Sequence, residues 1–199
     1  MQNYVWYAGY GSNLSRQRFY CYIKGGKPSF GNHCNSGCKN KTLPVDSKVK
    51  NINYPLYFAL PNKKKKTSNW GYGGVAFIRT NKDAKNKTIC RLWKITQEQY
   101  EEVKKQEGCW YNKEIKLGEK NSLPILTITN ENHLNNIICP SNSYLKTICV
   151  GLKESCSFLT NSEITEYLVK KEGIKGEFHI SEIKNVLNTI QVGSIYKLM

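Results

Sequence analysis

Histidine and arginine are scarce in this chain, and acidic residues are half as common as basic ones. Three histidines occur, His33, His133 and His179, each isolated. That argues against a hydrolase whose metal is held by several imidazoles. No Cys-x2-Cys pair occurs among the eight cysteines, and their spacing is irregular. No apolar run approaches the length that crosses a bilayer. The opening segment, Met1-Gln2-Asn3-Tyr4-Val5-Trp6, lacks the basic stretch and apolar run of a signal peptide. These absences together predict a cytoplasmic protein with reduced thiols and no membrane partner. The Asn-x-Ser/Thr triplets at 13, 40 and 86 then carry no meaning beyond chance.

Two nucleotide-binding signatures fail on residue identity. Gly9-Tyr10-Gly11 is a Gly-x-Gly, but Leu14 stands where the dinucleotide fingerprint needs glycine. No Gly-Lys-Ser/Thr follows, so the loop is not a phosphate-cradling P-loop. No strand-turn-helix elbow presents a serine or cysteine nucleophile.

What is abundant is lysine. Lys and Arg number 30 against 15 Asp and Glu, giving a net charge of +15. Arginine, whose fork suits phosphate and base edges, occurs only at 16, 18, 79 and 91. The lysines are scattered, apart from Lys63-Lys64-Lys65-Lys66. This reads as a solvated basic surface and argues against specific nucleic-acid binding. Weak attraction to polyanions stays open. Hydrophobic residues make up 39% of 199 residues, enough for a real core. One domain over 1–199 is predicted, with 155–199 a helical C-terminal extension of the same unit. Oligomeric state is not readable.

The elements follow from pattern. Residues 2–9 alternate as a strand. Residues 15–24 form a helix, capped by Asn13 or Ser15 and ended by Gly25-Gly26. Residues 25–44 make a long loop, of a length that closes over something or does something. Strands are expected within 45–60, broken at Tyr54-Pro55, then at 73–78 and 89–95, in antiparallel hairpin order. Thr96-Gln97-Glu98-Gln99 is a capping box that opens a helix running to Glu107 and stopping at Gly108. Strands follow at 110–117 and 123–129. Helices are expected over 141–153, from the capping box Thr160–Glu163 to Gly173, and over 181–190. Strands first and helices last make the class α+β.

Chemistry concentrates at two places. The first is the strand end Gly9-Tyr10-Gly11-Ser12-Asn13-Leu14, where a glycine turn exposes successive backbone N–H groups suited to an anion or a carbonyl oxygen. A plain tight turn is the alternative. The second is Glu107. A carboxylate at a helix C-terminus meets the partial negative charge of that end. Burial would further disfavour its ionised form, which suits proton transfer. Lys104 and Lys105, one turn earlier, oppose the effect, and an exposed glutamate on a fraying turn is the alternative. His33-Cys34 and Cys38 offer part of a zinc ligand set with no second pair to complete it. No metal is therefore expected.

These pieces also resemble a known family. The strand followed by Tyr10-Gly11-Ser12-Asn13-Leu14 resembles the signature of the gamma-glutamylcyclotransferases. Further matches come in order. They are Trp70-Gly71-Tyr72-Gly73-Gly74-Val75-Ala76-Phe77, Arg91-Leu92-Trp93-Lys94-Ile95 and Gln106-Glu107-Gly108. Then come Pro140-Ser141-x-x-Tyr144 and Ile148-Cys149-x-Gly151-x-Lys153-Glu154. The likeness spans roughly residues 4–170.

The resemblance implies a small mixed β-barrel flanked by helices, with a pocket at its mouth. It implies a cofactor-free reaction in which the α-amine of a γ-glutamyl group attacks its own γ-carbonyl. The products are 5-oxoproline and a free amine or amino acid. Glu107 takes the place of the catalytic glutamate. The amides of Gly11, Ser12, Asn13 and Leu14 take the place of the anion cradle, and Tyr10, Tyr111 and Tyr144 line the pocket. The segment from Glu107 to Tyr111 is shorter than the family's, and the family includes members without demonstrated activity. A binding module of the same fold, holding a carboxylate-bearing or polyanionic ligand, is the alternative. Deacylation of an acylated amine is a third reading, with no nucleophile or metal set behind it.

Overall fold

The computed structural model describes residues 3–61 and 66–190. Strand β1 (Tyr4–Gly9) runs into a single 3-10 turn (Gly11–Leu14) and helix α1 (Arg16–Lys24). Strands β2 (Asp46–Ile52), β3 (Leu56–Ala59), β4 (Thr67–Ser68), β5 (Gly71–Tyr72), β6 (Val75–Ile78) and β7 (Thr88–Thr96) follow, then helix α2 (Gln97–Glu107). Strands β8 (Lys113–Lys120) and β9 (Leu123–Thr129) precede helices α3 (Asn142–Ser155), α4 (Asn161–Val169) and α5 (Ile180–Thr189). Most of the lysine run 63–66 and the end of the expected C-terminal extension lie outside the described residues.

A five-stranded sheet, in the order β2-β7-β1-β9-β8, is the frame. Its central strands alternate in side-chain direction and are buried on both faces. On one face Val5, Tyr7, Trp93, Ile95, Leu126 and Ile128 pack with Phe19, Tyr22 and Ile23 of α1 and with Tyr100 and Val103 of α2. On the other, Trp6, Ala8, Cys90, Leu92 and Ile125 meet β3, β6 and the three C-terminal helices. The edge strands β2 and β8 carry Lys48, Lys50, Lys113, Glu114 and Lys116. Charge on an open edge discourages pairing with another chain.

One expectation is corrected. The early strands are nested rather than sequential: β2 pairs antiparallel with β7, while β3 pairs with β6 and β4 with β5 inside that span. Tyr54-Pro55 turns the chain off the main sheet, because proline cannot donate to a ladder. The sheet is also not a closed barrel among the described residues. The β3-β6 ribbon is a separate sheet, tied to β9 by side-chain hydrogen bonds at Thr129. Thr129 Oγ1 accepts from Ile78 N (3.2 Å) and donates to Ile78 O (2.6 Å). No backbone ladder joins β6 to β9; at their last residues a hydroxyl makes the link.

The capping boxes at Thr96 and Thr160 are formed. Helix α4 ends at Val169 with Lys170 as its cap, three residues short of Gly173. The long loop 25–44 is laced to α2. Gln99 Nε2 donates to the carbonyls of Asn40 (2.9 Å) and Thr42 (2.7 Å). Lys39 N donates to Glu102 Oε2 at 3.0 Å.

Candidate active site

The two places singled out in the sequence meet. Strand β7 pairs with β1 along its whole length, and α2 follows β7 directly. The helix therefore runs back toward the end of β1 and delivers Glu107 beside the 3-10 turn. Asn13 Nδ2 donates to Glu107 Oε1 at 2.6 Å and to the Tyr7 hydroxyl at 2.9 Å. Asn13 Oδ1 is buried with no hydrogen-bond partner.

The turn is held from behind. Trp93 Nε1 donates to Asn13 O at 2.9 Å. Arg91 Nη1 reaches both Leu14 O and Glu154 Oε2 at 3.3 Å, and Glu154 Oε2 also accepts from Arg16 N at 2.7 Å. The Arg91–Glu154 pair is almost wholly buried, with side-chain exposures of 5% and 1%. Burial raises the pKa of Glu154 against the lowering pull of the Arg16 amide and Arg91. A buried pair of this kind fixes geometry more than it adds stability.

Two glycines permit the packing. Gly11 has φ of +60°, and a Cβ there would lie 2.7 Å from Ala76 Cβ and 3.0 Å from the Tyr144 hydroxyl. A Cβ on Gly151 of α3 would come within 2.4 Å of Ser15 N. The helix thus presses directly on the turn.

Around Glu107 stand five tyrosines: 7, 10, 22 and 144, which are buried, and the partly buried 111. Tyr10 donates to Ile128 O (2.7 Å) and Tyr111 to Ala76 O (2.9 Å), while Tyr144 accepts from Ala76 N (3.2 Å). Burial raises the pKa of all five phenols, and the Glu107 carboxylate adds to the rise in each. They are neutral hydroxyls at physiological pH.

A niche of about 20 Å³, bounded by Tyr7, Tyr10, Ser12, Asn13, Glu107, Tyr111 and Tyr144, opens here. It has room for about one water. Ser12, Glu107, Tyr111 and Tyr144 also line a larger cleft of about 460 Å³, whose outer wall includes Arg18, Tyr22, Trp70 and Trp110. Pro28, Gly31 and His33 of the long loop complete that wall.

Of the residues singled out in the sequence, Tyr10, Ser12, Asn13, Glu107, Tyr111 and Tyr144 come together. Gly11 packs behind them. Leu14 lines neither cavity; its carbonyl is spent on Arg91 and on Ser155 Oγ (3.4 Å). The Asn13 amide N–H turns back to Tyr10 O at 3.3 Å. Among the described residues no group of three or more His, Cys, Asp or Glu side chains could hold a metal ion.

Among the lining residues that escaped the sequence reading are Tyr7, Arg18 and Tyr22. Arg18 and Tyr22 stand four apart on α1 and so share a helix face, which was the available signal. Gln106 carries a role unseen in sequence. Its Oε1 accepts from Gly37 N (3.2 Å) and its Nε2 donates to Tyr22 O (3.0 Å). The neighbour of Glu107 thereby ties the long loop to the wall of the cleft.

No family model matches the chain. A curated relative, histone deacetylase 5 of Arabidopsis thaliana, is 28% identical over 156 residues. That match takes in 63% of this chain and 23% of the relative, so the chain spans less than a quarter of that protein's length. Among solved structures, a gamma-glutamyl cyclotransferase superposes with a TM-score of 0.58 at 20% identity, over 94% of this chain and all of the other. A human protein described only as uncharacterized superposes with the same TM-score, 0.58, at 22% identity and the same coverage. On fold, therefore, this chain is gamma-glutamyl-cyclotransferase-like.

Proposed function

We propose that the chain is a cyclotransferase acting on a γ-glutamyl amide, with Glu107 as its general acid and base. The observation that carries this is the 2.6 Å contact between Asn13 and Glu107. It sets a carboxylate against the glycine turn, at the mouth of a cleft large enough for a dipeptide-sized ligand.

The reaction is intramolecular. The substrate's α-amino nitrogen attacks its own γ-carbonyl carbon, forming the lactam C–N bond. The tetrahedral oxyanion then collapses and the bond to the leaving nitrogen breaks. One proton leaves the attacking nitrogen and one arrives on the leaving nitrogen. Glu107 takes the first and returns it as the second. Both reactants sit in one molecule, so the protein's main task is to fold the glutamyl chain into an attacking shape. The glutamyl head is placed at the junction of niche and cleft, between Ser12, Glu107, Tyr111 and Tyr144. The neutral Tyr144 hydroxyl, which accepts from Ala76 N, is the donor for the developing oxyanion. Asn13 Oδ1 is an acceptor for the α-amine.

The test is release of 5-oxoproline from γ-glutamyl dipeptides, in the wild type and in Glu107→Gln. Loss of turnover by ~100-fold or more in a folded variant is expected, the scale of a general acid-base contribution. Undiminished turnover would remove Glu107 from the chemistry.

One observation favours a second reading, a binding module without turnover. The amide of Asn13, within the turn, already has a partner in the protein. On that reading γ-glutamyl compounds bind with no product formed. The deacetylase relative is matched over too little of its length to lend its activity to this chain.

A further inference from the structure

Four arginines are available to this chain, and one is spent in an unusual way. Arg18 is 7% exposed, yet it lines the cleft that Glu107 opens onto. Arg79 has Glu172 at 2.6 Å and Arg91 has Glu154 at 3.3 Å. For Arg18 no carboxylate lies within ion-pair distance among the described residues. Its Nη1 donates to the neutral Asn35 Oδ1 at 2.6 Å and its Nη2 to the Tyr22 hydroxyl. Its Nε is buried and has no partner. Removing a charge from water without an opposite charge is costly, and the cost persists only where something repays it.

The surroundings hold the guanidinium in one plane. It lies 4.0 Å from the Tyr22 ring centre and 5.6 Å from that of Trp70. Tyr22 is the shared wall: it is bonded to Arg18, and the charge of Glu107 acts on both Tyr22 and Arg18. The guanidinium and the carboxylate line the same cleft, with Tyr22 also in its wall. A leaving nitrogen near Glu107 would thus carry its own α-carboxylate, two bonds away, within reach of Arg18.

We propose that Arg18 is the specificity-determining residue for the leaving portion of the substrate, pairing with a carboxylate there. The preferred substrates are then γ-glutamyl amino acids or peptides with a carboxylate close to the scissile nitrogen, over γ-glutamylamines. This rests on the cyclotransferase reading above. An arginine fork suits a carboxylate better than an ammonium does, because both oxygens can be engaged at once. The opposed charges of Glu107 and Arg18 also orient the substrate, repelling its leaving carboxylate from one end of the cleft and attracting it to the other.

The experiment compares three substrates on the intact protein: γ-glutamyl-alanine, its carboxamide γ-glutamyl-alaninamide, and γ-glutamyl-ethylamide. The wild type is expected to favour the acid by ~10–100-fold in kcat/KM, the range of one charge-assisted contact. Arg18→Lys, which keeps the charge and loses the fork, narrows that preference. Arg18→Met brings it within about two-fold, while turnover of the carboxamide persists. A melting curve on each variant separates loss of fold from loss of preference. If Arg18→Met does not fold, the wild-type comparison and Arg18→Lys still decide. Equal turnover of acid and carboxamide by the wild type overturns the Arg18 assignment alone. Absence of 5-oxoproline from all three overturns the cyclotransferase reading and this inference with it.

Discussion

Asn13 and Glu107, 94 residues apart in the chain, share a hydrogen bond of 2.6 Å, and the Tyr7 hydroxyl completes the set on the same amide nitrogen. The amide is a neutral spacer between a carboxylate and a phenol. Replacing it with acid changes the charge without changing the shape. In Asn13→Asp two carboxylates face each other at hydrogen-bond range, and they must share one proton. The shared proton is held more tightly in the folded state than in the unfolded chain. The variant's stability relative to wild type therefore falls as pH rises from about 4 to neutrality. Urea titrations at pH 4.5, 6 and 7.5 measure it; a pH-independent difference contradicts the contact.

The long loop should come loose in Gln106→Ala. The substitution strips the acceptor for Gly37 N and the donor to Tyr22 O. A cost of ~1–3 kcal/mol is expected from two lost partners. Amide exchange at Gly37 and Cys38 should quicken more than exchange in β1 or β7. Uniform acceleration across the protein would mean that the loop is not a separate opening unit.

Gly151→Ala sets helix propensity against packing. Alanine favours a helix interior by up to ~1 kcal/mol. At this position its Cβ would lie 2.4 Å from Ser15 N and 2.5 Å from Leu14 Cβ. Overpacking costs ~1–3 kcal/mol, so net destabilisation is expected, accompanied by displacement of the 3-10 turn. A denaturant midpoint at or above that of wild type would show that the helix yields instead.

Lys171 gives a second pH dependence, of opposite sign. Its Nζ donates to Lys87 O at 2.7 Å. Burial, and then the charge of Lys170, lower its pKa to about 8. The unfolded value is about 10.4. Between the two, the unfolded chain holds the extra proton, so this residue's contribution to stability improves as pH rises from 8 to 10. Wild type should gain on Lys171→Met across that window. The difference matters more than either curve, because the raised pKa of the buried thiols of Cys90 and Cys149 pulls both curves the other way.

Much of this is legible in the sequence, and the reasons are local. Thr96 and Thr160 announce helix starts because a capping box is a four-residue event. Gly11 announces the turn because the backbone there needs a positive φ. Partnering is harder to read. Nothing within Asp46–Ile52 says that its mate is Thr88–Thr96 rather than the next strand along. The mixed α+β class that the resemblance implied is seen, while no closed barrel forms among the described residues, and at Thr129 a hydroxyl links two strands that share no ladder. Tyr7, Arg18 and Tyr22 read as core or surface residues in isolation. Their nearness to Glu107 depends on α1 and α2 packing on one face of the sheet, which no short window encodes.

The strand Tyr4–Gly9 lies at the centre of the sheet, with β7 on one side and β9 on the other. During synthesis it leaves the ribosome long before either neighbour exists, and its pairing with β9 is parallel and distant. Loop closure over such separations is slow. An apolar segment carrying Val5, Trp6 and Tyr7 must therefore wait uncovered while more than a hundred residues are added. Recovery of active protein should accordingly depend on translation speed and on chaperones that shield nascent chains.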